Sequence, residues 1–433
     1  MTWKEEFERK TKTPEEAAKM IKNGDRIFAG YTTCTPYALL NTLAKRKDEL
    51  EGVTVFGGQM DNQVDFFDPE YDGHINTFSC FLGNMGRRGV KNGVTVFTTP
   101  QLSLIERWVN TVAKPNVTML TVSAPDKNGY MSYGAAGVAY CEIAVRHSDT
   151  VILQVNRNMP YVVGESNLIH ISDADAVVMY DEELLTVPEV IDETSSRIAE
   201  HVLDLIPDGA CLQLGIGGAA NAIGHGLKTK NDLGVHTEMF TDSMMMLQKE
   251  GVITNALKNL HRGKSVVSFA LGSKELYEWV DNNNTIMFLP FPYVTDPFVI
   301  AQNDNMISIN TAMAVDVYGQ IAADALGFRQ QSSVGGQLDF VRGAQRSKGG
   351  KSIIVLPSTL EKNGVKKSRT NVALPLGTSI TTTRSDVQYV ATEFGCVDLS
   401  LLPMNERAKA MISLAHPDFR NDLEAEAKEY GII

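Results

Sequence analysis

Short runs of β-branched and other apolar residues alternate with amphipathic stretches along the whole chain. Runs at 26–29, 53–56, 117–122, 150–155, 211–214, 306–309 and 352–356 predict strands. Helical spacing predicts helices over 14–22, 35–50, 195–205, 220–228 and 405–415. Thr13-Pro14-Glu15-Glu16 reads as a helix start, because proline fits the first helical position and acids favour the first turn. Strand and helix in alternation predict an α/β fold with mostly parallel sheets.

The pattern repeats once. Residues 20–30, MIKNGDRIFAG, are echoed by residues 205–215, LIPDGACLQLG. Gly52 to Phe56 is echoed by Gly234 to Glu238, and the turn Asp126 to Gly129 by Asp316 to Gly319. Three echoes in one order predict two related open α/β domains, at 1–190 and 191–433, with an acidic linker at 181–196. The repeat breaks in an informative place. Phe56 stands opposite Glu238, and Gly30-Tyr31-Thr32-Thr33 lacks the glycines of Gly215-Ile216-Gly217-Gly218. The chemistry is therefore expected in 191–433, with the first half as a lid or pocket wall and the active site at the domain interface.

Glu238 is the leading candidate for that chemistry. Strand, glycine turn, helix and second strand would set its carboxylate beside a loop of backbone N–H groups. Such a loop can hold an anion or oxyanion within reach of a carboxylate nucleophile. A second glycine pair, Gly335-Gly336, opens another turn downstream.

Composition narrows the classes. A chain of 433 residues with 43% hydrophobic content can build two ordinary cores. The opening residues are charged and lack the apolar centre of a signal peptide, and no apolar run has the length of a membrane span. Cysteines 34, 80, 141, 211 and 396 are odd in number without a CxxC pair, which points to a reducing cytoplasm rather than a disulfide framework. A net charge of −12 argues against nucleic acid as a partner. Against that background residues 342–369 hold eight basic side chains and one acid, Glu361. That stretch is either a solvated face or a landing site for a polyanion such as a nucleotide phosphate. The histidines show no metal spacing; His225, His236 and His416 read as solvated or capping, and no metal site is expected. There is no G-x-S-x-G elbow, and Met244, Met245 and Met246 read as core.

Two readings of the first glycine turn compete. Gly215-Ile216-Gly217-Gly218-Ala219-Ala220 also fits the dinucleotide pattern G-x-G-x-x-A, with Glu238 about where a ribose contact would stand. A nicotinamide-dependent dehydrogenase follows from that reading. Its weakness is position, because the pattern lies mid-chain in a unit whose duplicate lacks the glycines.

Taken together, a longer series of segments resembles the family I coenzyme A transferases of the acetyl-CoA hydrolase/transferase type. The series runs LQLGIGG (212–218), LGVHTEM (233–239), Ile309-Asn310, GGQLDFVRG (335–343), GGKSII (349–354) and LAHPDFR (414–420). The likeness spans essentially the whole chain and is densest after residue 205. It implies that Glu238 is the catalytic glutamate and carries CoA as a thioester during turnover. It implies that Gly215, Ile216, Gly217, Gly218, Ala219, Gly335 and Gly336 line the CoA and oxyanion site. Asn310 and Met313 would face the thioester end of the ligand, and Lys362 would contact a phosphate.

No permanently bound cofactor is implied, only coenzyme A as substrate and covalent intermediate. The implied partners are acyl-CoA (butyryl-, 4-hydroxybutyryl- or similar) and small carboxylic acids, in a homo-oligomer, dimer or tetramer. Ser243, Ser333, Ala323-Asp324-Ala325 and Leu401-Leu402-Pro403 depart from the family pattern, which leaves the acyl group open. An acyl-CoA hydrolase using the same glutamate remains the alternative within the family.

Overall fold

The computed structural model describes residues 2–433. The chain forms two compact units, Met1–Val187 with Val266–Val294, and Pro188–Ser265 with Thr295–Ile433. The segment Val266–Val294, which the sequence groups with the second half, packs into the first unit. There the Phe288 N–H donates to Val163 O at 3.0 Å and Phe288 bridges Gly164. Hydrophobic periodicity carries no information about such a return of the chain.

The first unit is built on seven strands: β1 (Arg26–Phe28), β2 (Val53–Gly57), β3 (Ile75–Ser79), β4 (Thr95–Phe97), β5 (Val117–Val122), β6 (Thr150–Val155) and β7 (Ala176–Met179). They lie in the order β4-β3-β2-β1-β5-β6-β7, every adjacent pair parallel. β5 is buried along its whole length, which explains why apolar and polar residues do not alternate in it: a parallel strand covered on both faces need not do so. Helix α1 (Cys141–His147) connects β5 to β6. The start at Thr13 is a full capping box, Thr13 and Glu16 each bonding the other's backbone N–H.

The second unit has β8 (Cys211–Leu214), β9 (Gly234–Val235), β10 (Met306–Thr311), β11 (Lys351–Val355), β12 (Tyr389–Thr392) and β13 (Gly395–Asp398). Their order is β9-β8-β10-β11-β12-β13, parallel except for the last pair. Helices α2 (Glu193–Leu203), α3 (Gly218–Gly226) and α4 (Gln337–Arg346) pack in this unit. The β2-β1-β5-β6-β7 run of the first sheet therefore has the topology of β9-β8-β10-β11-β12 in the second.

The third echo is equally concrete. Asp126 Oδ1 accepts from the N–H groups of Asn128 and Tyr130, and Asp316 Oδ1 from those of Tyr318 and Gln320. The register corrects one pairing, however. The Thr54 N–H donates to Asp25 O as the Gly234 N–H donates to Ala210 O, so Thr54 matches Gly234. The partner of Glu238 in the first unit is then Gly58, not Phe56, and Phe56 matches His236. The sequence echo slipped by two residues because the apolar alternation of a strand is unchanged by such a shift.

Candidate active site

The same register matches positions of one unit to positions of the other. Leu212 pairs with Ile307 as Ile27 pairs with Val117, so Gln213 and Asn310 stand where the first unit has Phe28 and Leu120. In the first unit these positions are apolar and buried. In the second they form a polar pair. Asn310 Nδ2 donates to Gln213 Oε1 (3.1 Å) and to Ser308 Oγ (3.3 Å), while Gln213 Nε2 donates to Asn310 Oδ1 (3.2 Å). Both amides are buried, so their orientation is set by each other.

The first glycine turn follows β8. Gly217 adopts φ +121°, a conformation open to glycine, and α3 begins at Gly218. The Gly215 N–H is already taken by Ile309 O at 2.8 Å, so it completes the sheet and is not a free donor. A Cβ at Gly218 would come within 2.5 Å of Ser195 Oγ, so this glycine lets α3 pack closely on α2. Ala219 is buried behind it, whereas Ile216 is exposed. Thr311 Oγ1 pins the turn by donating to Ile216 O at 3.2 Å.

Glu238 lies three residues beyond β9, not at the strand's end, and before the short strand Met239–Phe240. The residue as a whole is half-buried, yet its Oε2 is shut off from solvent and has no hydrogen-bond partner. What it touches is the second glycine turn. A Cβ built on Gly336 would fall 2.1 Å from Glu238 Oε2 and 3.1 Å from its Cδ, so only glycine leaves room for the carboxylate. Gly335 holds φ +61°, and Gly336 is the residue that caps α4.

The first unit shows the reverse exchange of volume. There Tyr140 caps α1, and a Cβ at Gly58 would meet its hydroxyl at 2.6 Å. Tyrosine and glycine in one unit are replaced by glycine and glutamate in the other.

Burial raises the Glu238 carboxyl to about 7, and the negative charge of Asp339 pushes in the same direction. The nearby Gly336 N–H opposes the shift, without a hydrogen bond of full geometry to Oε2. Asp339 is itself buried in the first turn of α4. A carboxylate that is desolvated and faced by a second acid is a stronger base, and a better nucleophile once ionised, than one in water. Thr237 Oγ1 and Ser333 Oγ are also buried without partners, next to Glu238 and just before Gly335.

The remaining sequence candidates are placed as follows. Met313 is half-buried after β10, its N–H bound to Ala322 O at 2.8 Å. Lys362 stands at the tip of an exposed hairpin of Thr359–Lys362 and Val365–Ser368, with Lys366 and Lys367 on the second strand. Arg342, in the same basic stretch, is instead engaged by Asp386 through two contacts, at 3.0 and 3.1 Å.

His236 is corrected. It is fully buried, its ring at a steep angle to that of Phe340, because its backbone N–H donates to Leu212 O and strand pleating turns the side chain inward. His416 caps a helix by accepting from the Asp418 N–H, and His225 contacts Glu189 at 2.7 Å. Asp339, Gln213 and Thr237 were not singled out in the sequence, and Ser333 only as a departure from the family pattern. The signal for Asp339 was present, since it follows the Gly335-Gly336 pair at the start of a helix.

Comparison with known proteins identifies the family. Residues 1–189 match the acetyl-CoA hydrolase/transferase N-terminal domain, and residues 272–427 match the C-terminal domain of the same name. The chain is 39% identical to a 4-hydroxybutyrate coenzyme A transferase of Clostridium kluyveri, covering 99% of this chain and 100% of that one. It is 37% identical to a butyryl-CoA:acetate CoA-transferase of Anaerostipes caccae, over 100% of this chain and 99% of the relative. The crystal structure of RipA from Yersinia pestis superposes with a TM-score of 0.92 at 37% identity, covering 100% of both chains. No helix among the described residues is long and apolar enough to cross a membrane. The chain belongs to the acetyl-CoA hydrolase/transferase family.

Proposed function

We propose that this protein is a CoA-transferase that moves coenzyme A from a short-chain acyl-CoA, such as butyryl- or 4-hydroxybutyryl-CoA, to a carboxylate such as acetate. Glu238 is the proposed carrier. The observation that supports it best is a desolvated carboxylate, without a hydrogen-bond partner at Oε2, set against the Gly335-Gly336 turn. The Clostridium kluyveri and Anaerostipes caccae relatives are both named as CoA transferases.

The chemistry follows from the nucleophile. Glu238 attacks the thioester carbonyl, the C–S bond breaks, and CoA thiolate leaves an acyl-glutamyl anhydride. The thiolate then attacks the glutamyl carbonyl, the anhydride C–O bond breaks, and the first acid departs as a carboxylate. An acceptor carboxylate runs the two steps in reverse from the glutamyl–CoA thioester, so the kinetics are ping-pong. Each tetrahedral intermediate needs donors for its oxyanion. The N–H groups of the second turn are the proposed source; the first turn contributes less, since the Gly215 N–H is held in the sheet. Asn310, its amide fixed by Gln213, and Met313 are proposed to face the thioester end, and Lys362 a CoA phosphate. A dehydrogenase is disfavoured, because the carboxylate that would hold a ribose rests on the other glycine turn.

The test is a steady-state matrix of butyryl-CoA against acetate. Parallel double-reciprocal lines, with acetyl-CoA formed in step with butyrate, are the expected outcome. Release of free CoA at an unchanged rate without acceptor would make the enzyme a hydrolase instead.

A pH profile tests the nucleophile separately. Glu238 must be ionised to attack, so kcat/KM for the acyl-CoA should fall as pH drops through about 7. Asp339→Asn removes one cause of the raised pKa, so the acid limb should move to lower pH. A limb that stays put would show that the charge of Asp339 does not reach the nucleophile.

A further inference from the structure

Strand β9 is only two residues long and lies at the edge of its sheet, yet it leads into Glu238. One side is held by β8, through the Gly234 N–H to Ala210 O and the His236 N–H to Leu212 O. On the other side a parallel bridge of Leu233 with Ile253 stops short of Val235, and among the described residues two buried side chains take over from there. The Val235 N–H donates to Asn255 Oδ1 at 2.9 Å, and Val235 O accepts from Lys258 Nζ at 2.7 Å. Both groups of this outward-facing peptide are thereby satisfied, three residues before the carboxylate.

The two side chains are themselves fixed. Lys258 is 3% exposed and its ammonium also donates to Lys264 O at 2.7 Å. Its stem lies on Gly234, where a Cβ would come within 2.5 Å of Lys258 Cγ. Asn255 is fully enclosed, sits at φ +57° and passes its Nδ2 to Ser265 Oγ at 3.0 Å. Burying an ammonium against carbonyls alone is unfavourable next to an apolar residue of similar length, and burial lowers its pKa to about 8. A residue that only filled space here would be a methionine or leucine.

We propose that Lys258 and Asn255 are positioning residues that stand in for a missing edge strand and hold the Val235 peptide, so that Glu238 meets the second glycine turn. The inference rests on Glu238 being the carrier. It predicts that loosening the Val235 peptide misplaces the carboxylate without altering the surface that binds CoA.

The experiment compares Lys258→Met, which keeps the stem and removes the donor, in wild-type and Gly336→Ala backgrounds. In the wild-type background kcat should fall roughly 10- to 100-fold, as a misplacement near 1 Å does, with KM for butyryl-CoA within about twofold. The glutamyl adduct should form more slowly by the same factor. In the Gly336→Ala background, where the carboxylate is already displaced, the added loss should be less than about threefold, because coupled residues are not additive.

Wild-type kcat and adduct rate in Lys258→Met would overturn the proposal, as would an equal loss in both backgrounds. Should Lys258→Met not fold, Asn255→Gly decides by the same two criteria, since it keeps the left-handed backbone but lacks the acceptor. A wild-type protein that forms no adduct would remove the glutamyl reading itself, a failure seen before any variant is compared.

Discussion

Glu238→Ala is expected to lose turnover by at least about 10⁴-fold, the scale seen when a residue acting as part of a catalytic unit is deleted. The loss should be in kcat, because the side chain is a carrier and its Oε2 is enclosed at the turn rather than exposed to a ligand's distal parts. Incubation of the native protein with butyryl-CoA should leave a hydroxylamine-sensitive mass increment on the peptide containing Glu238, absent from the alanine variant. Folding of the variant should be retained, since removing a desolvated carboxylate that faces Asp339 relieves repulsion. An increment on a different peptide, or activity within tenfold of the native protein, would place the carrier elsewhere.

The second large effect concerns a residue with no side chain. Gly336 has φ −90°, an ordinary value, so alanine meets no backbone strain there. What the new methyl meets is Glu238, at 2.1 Å from Oε2, with Phe340 Cδ2 next at 3.3 Å. The carboxylate is the group free to yield, so it moves. Gly336→Ala should therefore reduce kcat by about 10²-fold while leaving the thermal midpoint nearly unchanged. Gly335→Ala provides the contrast. At φ +61° an alanine is strained, so stability should drop by about 1–2 kcal/mol together with activity. Full activity in Gly336→Ala would mean that the contact with the turn is irrelevant to catalysis.

The parts legible in the sequence were those set by local burial. Strands at 117–122, 150–155 and 211–214 have the bounds expected, because both faces are covered there and the runs are rich in β-branched and aliphatic residues. β3 and β4 escaped notice for the opposite reason. Ile75-Asn-Thr-Phe-Ser79 buries alternate residues only, and β4 lies at an edge with Val96 and Phe97 exposed. The helix expected over 35–50 runs only Tyr37–Ala44, since Pro36 sets its start and the chain turns into a short 3-10 segment at Lys47–Glu49.

Glu238 and both glycine turns were identifiable from spacing and family likeness. The contact of Glu238 with the second turn was not. It depends on how α4, about a hundred residues downstream, is set against the end of β9, and that is a property of sheet order. His236 follows the same logic: it gains its meaning from Phe340 on another element, so nothing in its own surroundings along the chain marks it.

The swapped pair, Gly58 with Tyr140 against Glu238 with Gly336, bears on how such a molecule can change over generations. A glutamate arriving alone at 58 would strike the Tyr140 hydroxyl and Tyr31 Cβ, both buried. A glycine arriving alone at 140 would leave a hollow beneath Tyr31 and Phe291, rings that now stack on Tyr140. Each solitary step harms the fold, so the route from one carrier to two passes through an impaired ancestor. Steric interlock, once set, keeps the division of labour between the halves from being undone by single changes.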